Sequence, residues 1–303
     1  MKSFITTMIL ACFILGARAQ QSAQFTQYMF NGLILNPAYA GMDKSLSMTF
    51  VNRSQWISID GAPVTQTLSA HTLLTKQQLG IGLTLVNDKI GIHKNQKIMG
   101  AASYHLKVSP KGTLSFGLQG GLNIVKSNYA SLASNSSTMD PQLANAGIAQ
   151  TYMNLGMGFY FSSPRFHVGF SIPDLMPQRY ALNDTITVTW QKAHYFLFSK
   201  YIIPLNDELQ LEPSMLIKYN PGLPLSFDIN ACLVIKKALT LGLSYRKSES
   251  IDFLLKAQLT PQLQFGYSYD YVTGEVSNVS RGTHELMVSY LFKYTHTNVA
   301  SPR

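Results

Sequence analysis

Seven charged residues stand inside stretches that otherwise alternate apolar and polar positions: Arg53, Glu212, Lys218, Asp228, Arg246, Asp270 and Glu285. On a strand, alternate side chains share a face, so all seven fall opposite the apolar face. Ion pairing is the chemistry open to them, because a buried charge without a partner costs several kcal/mol. Arg53 and Glu285 sit at equivalent heights in the first and last alternating segments, and Arg246 and Asp270 share a similar depth on two others. These four are predicted to form a charge network across the seam where a closed sheet joins its ends. The bland alternative is that they line a hydrated pore.

Other chemistry is sparse. Seven histidines are dispersed, and none pairs with Cys, Asp or Glu at metal-ligand spacing. His284 and Glu285 are neighbours on one strand, so they point to opposite faces. No nucleophile elbow, phosphate loop or dinucleotide fingerprint stands in a suitable context. Some membrane barrels are lipases or proteases, but the pattern points to no enzyme, no cofactor and no metal. Lysines and arginines are scattered without interleaved aromatics, which sets nucleic acid aside.

The elements that carry these residues alternate at period two almost throughout. In 112–126, Leu114, Phe116, Leu118, Leu122 and Ile124 face one way, while Ser115, Gly117, Gln119, Gly121 and Asn123 face the other. Residues 262–271 repeat the pattern, with Leu263, Phe265, Tyr267, Tyr269 and Tyr271 on the apolar side. Such segments match tilted strands crossing a bilayer, roughly ten residues each. A spanning sheet must close to satisfy its backbone. The expectation is an all-β transmembrane antiparallel barrel with a wet or plugged lumen. Strands are predicted near 45–53, 65–74, 79–88, 95–108, 112–126, 151–162, 165–172, 190–202, 208–219, 225–236, 238–247, 250–259, 262–272 and 282–294, about fourteen in all. Pro213 inside one of them requires a bulge or local break.

Short links at 75–78, 109–111, 163–164, 203–207, 236–237 and 260–261 alternate with links that include 54–64, 127–150, 173–189 and 273–281. Short periplasmic turns and longer outer loops are the rule for outer-membrane barrels. The reading is therefore an integral outer-membrane protein with both termini periplasmic. Residues 1–19 read as a secretory signal: Lys2, an apolar run from Phe4 to Leu15, then Ala17-Arg18-Ala19. The chain carries +9; losing Lys2 and Arg18 leaves 22 basic against 15 acidic residues, or +7. Cys232 is then the one remaining thiol, so closure of the sheet rather than a disulfide must hold the fold. The division is 1–19 signal, 20–43 a non-strand plug or cap, 44–294 barrel and 295–303 a periplasmic tail.

Segment 20–43 is too apolar for a free tail and too broken for a strand. Phe25, Tyr28, Phe30, Asn36, Pro37 and Tyr39 in it are candidate partner-binding residues at the periplasmic mouth. Gln55, Trp56, Gly61 and Pro63, in the first outer loop, are a second candidate set. Trp56 suits a partner anchor or an interfacial girdle equally well.

Gln24-Phe25-Thr26-Gln27-Tyr28-Met29-Phe30-Asn31 followed by Asn36-Pro37-Ala38-Tyr39-Ala40-Gly41 resembles the opening of the PorP/SprF family. Arg53-x-Gln55-Trp56, Gly61-Ala62-Pro63, Ser69-x-His71, Glu212-Pro213-Ser214, Gly242-x-Ser244-Tyr245-Arg246, Tyr267-Ser268-Tyr269-Asp270 and Gly282-Thr283-His284-Glu285 continue the likeness in order. The resemblance implies a barrel of the type IX secretion and gliding machinery, set in outer-membrane lipid. It implies as partners a periplasmic ring lipoprotein with its partner, and a secreted or surface adhesin cargo carrying a C-terminal sorting domain. The competing expectation is an outer-membrane channel for small or hydrophobic solutes, similar to fatty-acid transporters.

Overall fold

Strict alternation makes one face of every strand apolar and the other small or polar, and only a closed cylinder keeps those faces apart over a whole chain. The computed structural model describes residues 24–74, 78–128, 147–181 and 187–292. Its strands are β1 (Ser47–Ser54), β2 (Val64–Leu74), β3 (Leu79–Ile90), β4 (His93–Ser109), β5 (Gly112–Asn128), β6 (Gly147–Ser162), β7 (Phe166–Ile172), β8 (Gln178–Ala181) and β9 (Thr187–Gln191). They continue as β10 (Tyr195–Tyr201), β11 (Ile203–Pro204), β12 (Leu209–Tyr219), β13 (Ser226–Ile235), β14 (Leu239–Arg246), β15 (Ser250–Gln258), β16 (Leu263–Val272) and β17 (Thr283–Leu291). Strands β1 to β7 and β12 to β17 pair antiparallel in sequence, β10 bridges β7 and β12, and β1 closes on β17, giving a barrel of fourteen strands. The closing register sets Arg53 opposite Glu285.

Outward positions are apolar and exposed, among them Leu83, Ile98, Leu118, Leu243, Phe253, Leu286 and Val288. Inward positions are small, polar or charged. Links β2–β3, β4–β5, β6–β7, β13–β14 and β15–β16 lie at what we term the short-turn end. Links β1–β2, β5–β6 and β16–β17 lie at the opposite, long-loop end, as does the excursion between β7 and β10.

One expectation needs correction, and the break expected at Pro213 is present on one side of its strand. The strand expected over 190–202 is two pieces: β9 belongs to a separate hairpin with β8, and the barrel strand begins only at Tyr195. The barrel wall needs length there only to match β7, itself seven residues, so the earlier stretch is free to pair locally. Pro213 interrupts nothing on its own strand, which runs through to β13 with Pro213 opposite Ala231. The break falls on the other neighbour. Pairing with β10 stops at Lys200–Ser214 and resumes with β11 at Ile203–Leu211, leaving Pro213, which has no N–H to donate, facing the gap. The expected signal, most of the 127–150 loop and the C-terminal tail lie outside the described residues.

Candidate functional site

The lumen is occupied. Residues 24–43 descend through it in three 3-10 turns, Tyr28–Phe30, Gly32–Ile34 and Pro37–Tyr39. No periodic element forms because the segment is punctuated by Asn31, Gly32, Asn36 and Pro37. Asn36 caps the last turn: its Oδ1 accepts from Ala38 N at 2.9 Å while its Nδ2 donates to Phe159 O at 2.9 Å. One side chain thus starts a turn and fastens it to the wall.

Every barrel strand reaches this segment. Ser69, Ser103 and Ser171 donate to Asn31 Oδ1, Ala40 O and Leu35 O, at 2.9, 2.6 and 2.6 Å. Gly41 N donates to His71 Nδ1 at 3.1 Å, and Asn230 Nδ2 donates to the Tyr28 hydroxyl at 2.7 Å. Phe25, Tyr28 and Phe30 pack on the inward Val51, Leu216, Cys232, Leu254 and Met287, which form a dry core inside the cylinder. The Lys256 ammonium lies 4.3 Å from the Phe30 ring centre. Glycines on the lumen face of β3, β5, β6 and β16 make the seat. A Cβ at Gly80, Gly117, Gly158 or Gly266 would stand 2.1 Å from Ala40 O, Ala38 N, Asn36 Oδ1 or Gln27 Oε1.

The charged residues lie where the segment begins. Arg53 Nη1 donates to Glu285 Oε2 at 3.0 Å and Nη2 to Asp270 Oδ2 at 2.7 Å, all three side chains being at most 2% exposed. Glu285 also accepts from the backbone N–H of Thr26 and Gln27 at 2.9 and 2.8 Å. Thr26 Oγ1 donates to Asp270 at 2.8 Å and accepts from Arg53 at 2.8 Å and Arg246 at 3.4 Å. Arg246 meets Asp228 at 3.4 Å and Asp252 at 3.9 Å rather than Asp270 directly. Lys218 completes the cluster, 2.8 Å from Asp228. The four residues expected to share one depth are thus joined through Thr26. Asp252, the partner that sequence reasoning missed, sits on the lumen face of β15 by the same parity.

The remaining candidates divide. Phe25, Tyr28, Phe30, Asn36 and Pro37 are buried, and Tyr39 is half-buried edge-on to His71 and Tyr160. Their side chains pack against the protein's own wall, and Phe25 and Tyr28 also line a cavity at the long-loop end. Gln55, Trp56, Gly61 and Pro63 lie in the β1–β2 loop. Gln55 N donates to Pro63 O at 2.9 Å and Trp56 N to Thr283 Oγ1 at 3.1 Å. Ile57 then exchanges backbone bonds with the β16–β17 loop, Ile57 N donating to Gly282 O and Arg281 N to Ile57 O. Gly61 adopts φ +73° and its carbonyl accepts from Gly91 N at 2.8 Å, a close approach that a side chain would crowd. The two candidate sets are therefore not brought together.

At the long-loop end a cavity of about 650 Å³ lies above the segment. Phe25, Tyr28 and Ile34 form its floor, and Lys97, Asp174, His194 and Lys218 stand on its walls. Asp174 accepts from Lys97 Nζ at 2.9 Å on both oxygens and from Asn154 Nδ2. Burial alone would raise the Asp174 carboxyl, but the Lys97 ammonium and the Asn154 amide hold it below its ordinary value. Burial pushes the His194 imidazole down. Among the described residues no group of three or more His, Cys, Asp or Glu could hold a metal ion.

Residues 17–290 match the family described as type IX secretion system membrane protein PorP/SprF. The chain belongs to the PorP/SprF family. This PorP/SprF protein is an integral outer-membrane barrel of type IX secretion. No curated protein matches it. Among solved structures it is similar to the CymD monoaromatic hydrocarbon channel, at 12% identity and TM-score 0.52 over 88% of this chain and 94% of that one. A Pseudomonas aeruginosa FadL homologue gives 14% and 0.50 over 91% and 96%. The P. putida toluene transporter TodX gives 10% and 0.50 over 88% and 94%. At these identities the likeness is one of fold alone.

Gln24 contacts Lys218 and Glu249 at the long-loop end, whereas Phe292 pairs with Leu46 at the short-turn end. The two described ends of this PorP/SprF chain, Gln24 and Phe292, thus lie on opposite sides of the barrel. The cause is the passage of residues 24–43 through the lumen before β1 crosses back. The segments that lead to the termini themselves lie outside the described residues.

Proposed function

We propose that this protein works by contact, as a non-catalytic docking component of the secretion machinery. Its short-turn end faces the periplasm and meets a ring lipoprotein and its partner. Its loops help a secreted or surface adhesin with a C-terminal sorting domain to reach or stay on the cell surface. One observation carries the reading: the lumen segment is bonded or packed to every barrel strand. Moving a solute through the cylinder would require breaking that core. The rigid, filled barrel instead presents fixed surfaces at both ends. The docked pair of loops at 55–63 and 273–282 is the surface we assign to cargo, with Trp56 half-buried at its base and Ile57 and Val279 exposed on it.

The test is affinity capture of the tagged protein from gently solubilised outer membranes, followed by mass spectrometry. Recovery of a ring lipoprotein, or of a large secreted protein with a C-terminal sorting domain, is expected, and Ile57→Asp with Val279→Asp should reduce the second. A channel reading draws on the cavity above the segment, whose floor is apolar. A barrel that is captured alone and moves hydrophobic solute across liposomes would replace docking with transport.

A further inference from the structure

On the outward face of β3, β4 and β5, three successive cross-strand rows change character toward the long-loop end. Leu85, Ile98 and Leu122 are in register, then Asn87, Gln96 and Ile124, then Lys89, Lys94 and Lys126. The three lysines are exposed and sit directly opposite one another. Neighbouring strands are about 4.8 Å apart, so the row spans about 10 Å. Like charges in that arrangement destabilise a sheet unless something neutralises them. The described residues do not do so: Lys89 faces Val64 on β2, Lys126 faces Ala149 on β6, and no described carboxylate pairs with any of the three. On the strands β2 to β6 the single acidic residue is Asp88, which points inward and accepts from Thr65 at 2.6 Å; Asp140, in the link between β5 and β6, lies outside the described residues.

The row below is equally unlike lipid-facing surface. Gln66 donates to Asn52, Asn87 to Gln66 and Gln96 to Asn87, at 3.4, 3.3 and 3.3 Å, an amide ladder on the outside of β1 to β4. Below it again the wall is purely apolar, with Leu83, Ile98 and Leu122 exposed. Apolar chain, then amide, then triple positive charge, at about 7 Å per row, is the polarity profile of an anionic amphiphile turned inside out.

We propose that Lys89, Lys94 and Lys126 bind the phosphate of an anionic lipid in the leaflet at the long-loop end. Its acyl chains lie on Leu83, Ile98 and Leu122, and the amide ladder meets the ester or glycerol oxygens between. The site fixes the height of the barrel and marks the β3–β5 side as its lipid-anchored flank. It stands independently of partner docking.

The experiment uses the full chain in phosphatidylcholine nanodiscs containing a minority of phosphatidylglycerol, with retained phosphatidylglycerol counted by native mass spectrometry. The triple variant Lys89→Gln, Lys94→Gln, Lys126→Gln should bind it about 100-fold more weakly, at about fivefold for each lysine beside an anionic surface. The triple Lys107→Gln, Lys111→Gln, Lys237→Gln, at the short-turn end, should leave binding unchanged. Thermal melting in zwitterionic detergent separates loss of the site from loss of the fold. There the first triple should melt no lower than the parent, and added phosphatidylglycerol should raise only the parent. Equal retention by parent and variant would overturn the proposal. Inorganic phosphate raising the melting point as much as the lipid would overturn the lipid assignment in favour of a free anion.

Discussion

Arg53→Met removes the cation at the centre of the lumen network and keeps its bulk. Three hydrogen bonds vanish, to Thr26 Oγ1 at 2.8 Å, Glu285 at 3.0 Å and Asp270 at 2.7 Å. What remains is worse than three lost bonds. Asp270 and Glu285, 2% and 0% exposed, are left as buried carboxylates with only the Thr26 and Gln27 donors. Breaking a buried pair from one side costs about 3–5 kcal/mol. At about 2 cal/mol/K of unfolding entropy per residue, a chain of this size loses roughly 5–8 °C of melting temperature. Heat-modifiable gel mobility reads this as the temperature at which the folded band disappears. Adding Asp270→Asn and Glu285→Gln to Arg53→Met removes the orphaned charges, so the triple variant should recover at least half of the loss. A single variant within about 1 °C of the parent, or a triple no more stable than the single, would refute the reasoning.

Three further outcomes follow from the same geometry. Gly117→Val would drive a side chain into the Ala38 backbone, so it should cost about 1–3 kcal/mol and expose residues 24–43 to trypsin, while Gly120→Ala, on the outer face, should do neither. Cys232, packed under Phe25 and Tyr28, should resist maleimide in the native barrel and react in Gly117→Val; equal rates would mean the core does not cover it. His194 has its folded pKa lowered, so its stabilising contribution is complete above the ordinary value near 6.5 and is lost as pH falls through the folded value. Asp174, also lowered, behaves with the same sign but begins to lose its contribution only below about pH 4. Hydrogen exchange at the mouth should therefore quicken around residues 192–194 before it quickens around 173–175; a single step at neutral pH would contradict this.

Most of the wall is legible in the chain, because the period of two states both the strand and the face. Leu114 to Ile124 could only be a half-apolar strand, and β5 extends two residues beyond the expected end. Parity alone set Arg53, Arg246, Asp270 and Glu285 on the lumen side. It could not say that Arg246 meets Asp228 and Asp252, since partners across a lumen depend on tilt and on what stands between. Thr26 stands between, and a lone threonine in an aperiodic segment announces nothing. The course of residues 24–43 was hidden for the same reason: 3-10 turns leave no repeat. Its trace lay in the wall instead. Gly80, Gly117, Gly158 and Gly266 interrupt lumen faces where a β-branched or polar residue would serve a sheet better, and each marks a point where another backbone or side chain approaches.

The central claim is that the barrel is filled and acts through its surfaces. Planar-bilayer recording of the full purified chain, beside a variant lacking residues 24–36, tests it most directly. The account predicts no stable conductance from the full chain and open, ohmic steps from the shortened one. Steady conductance from the full chain, unchanged by removal of the segment, would contradict it.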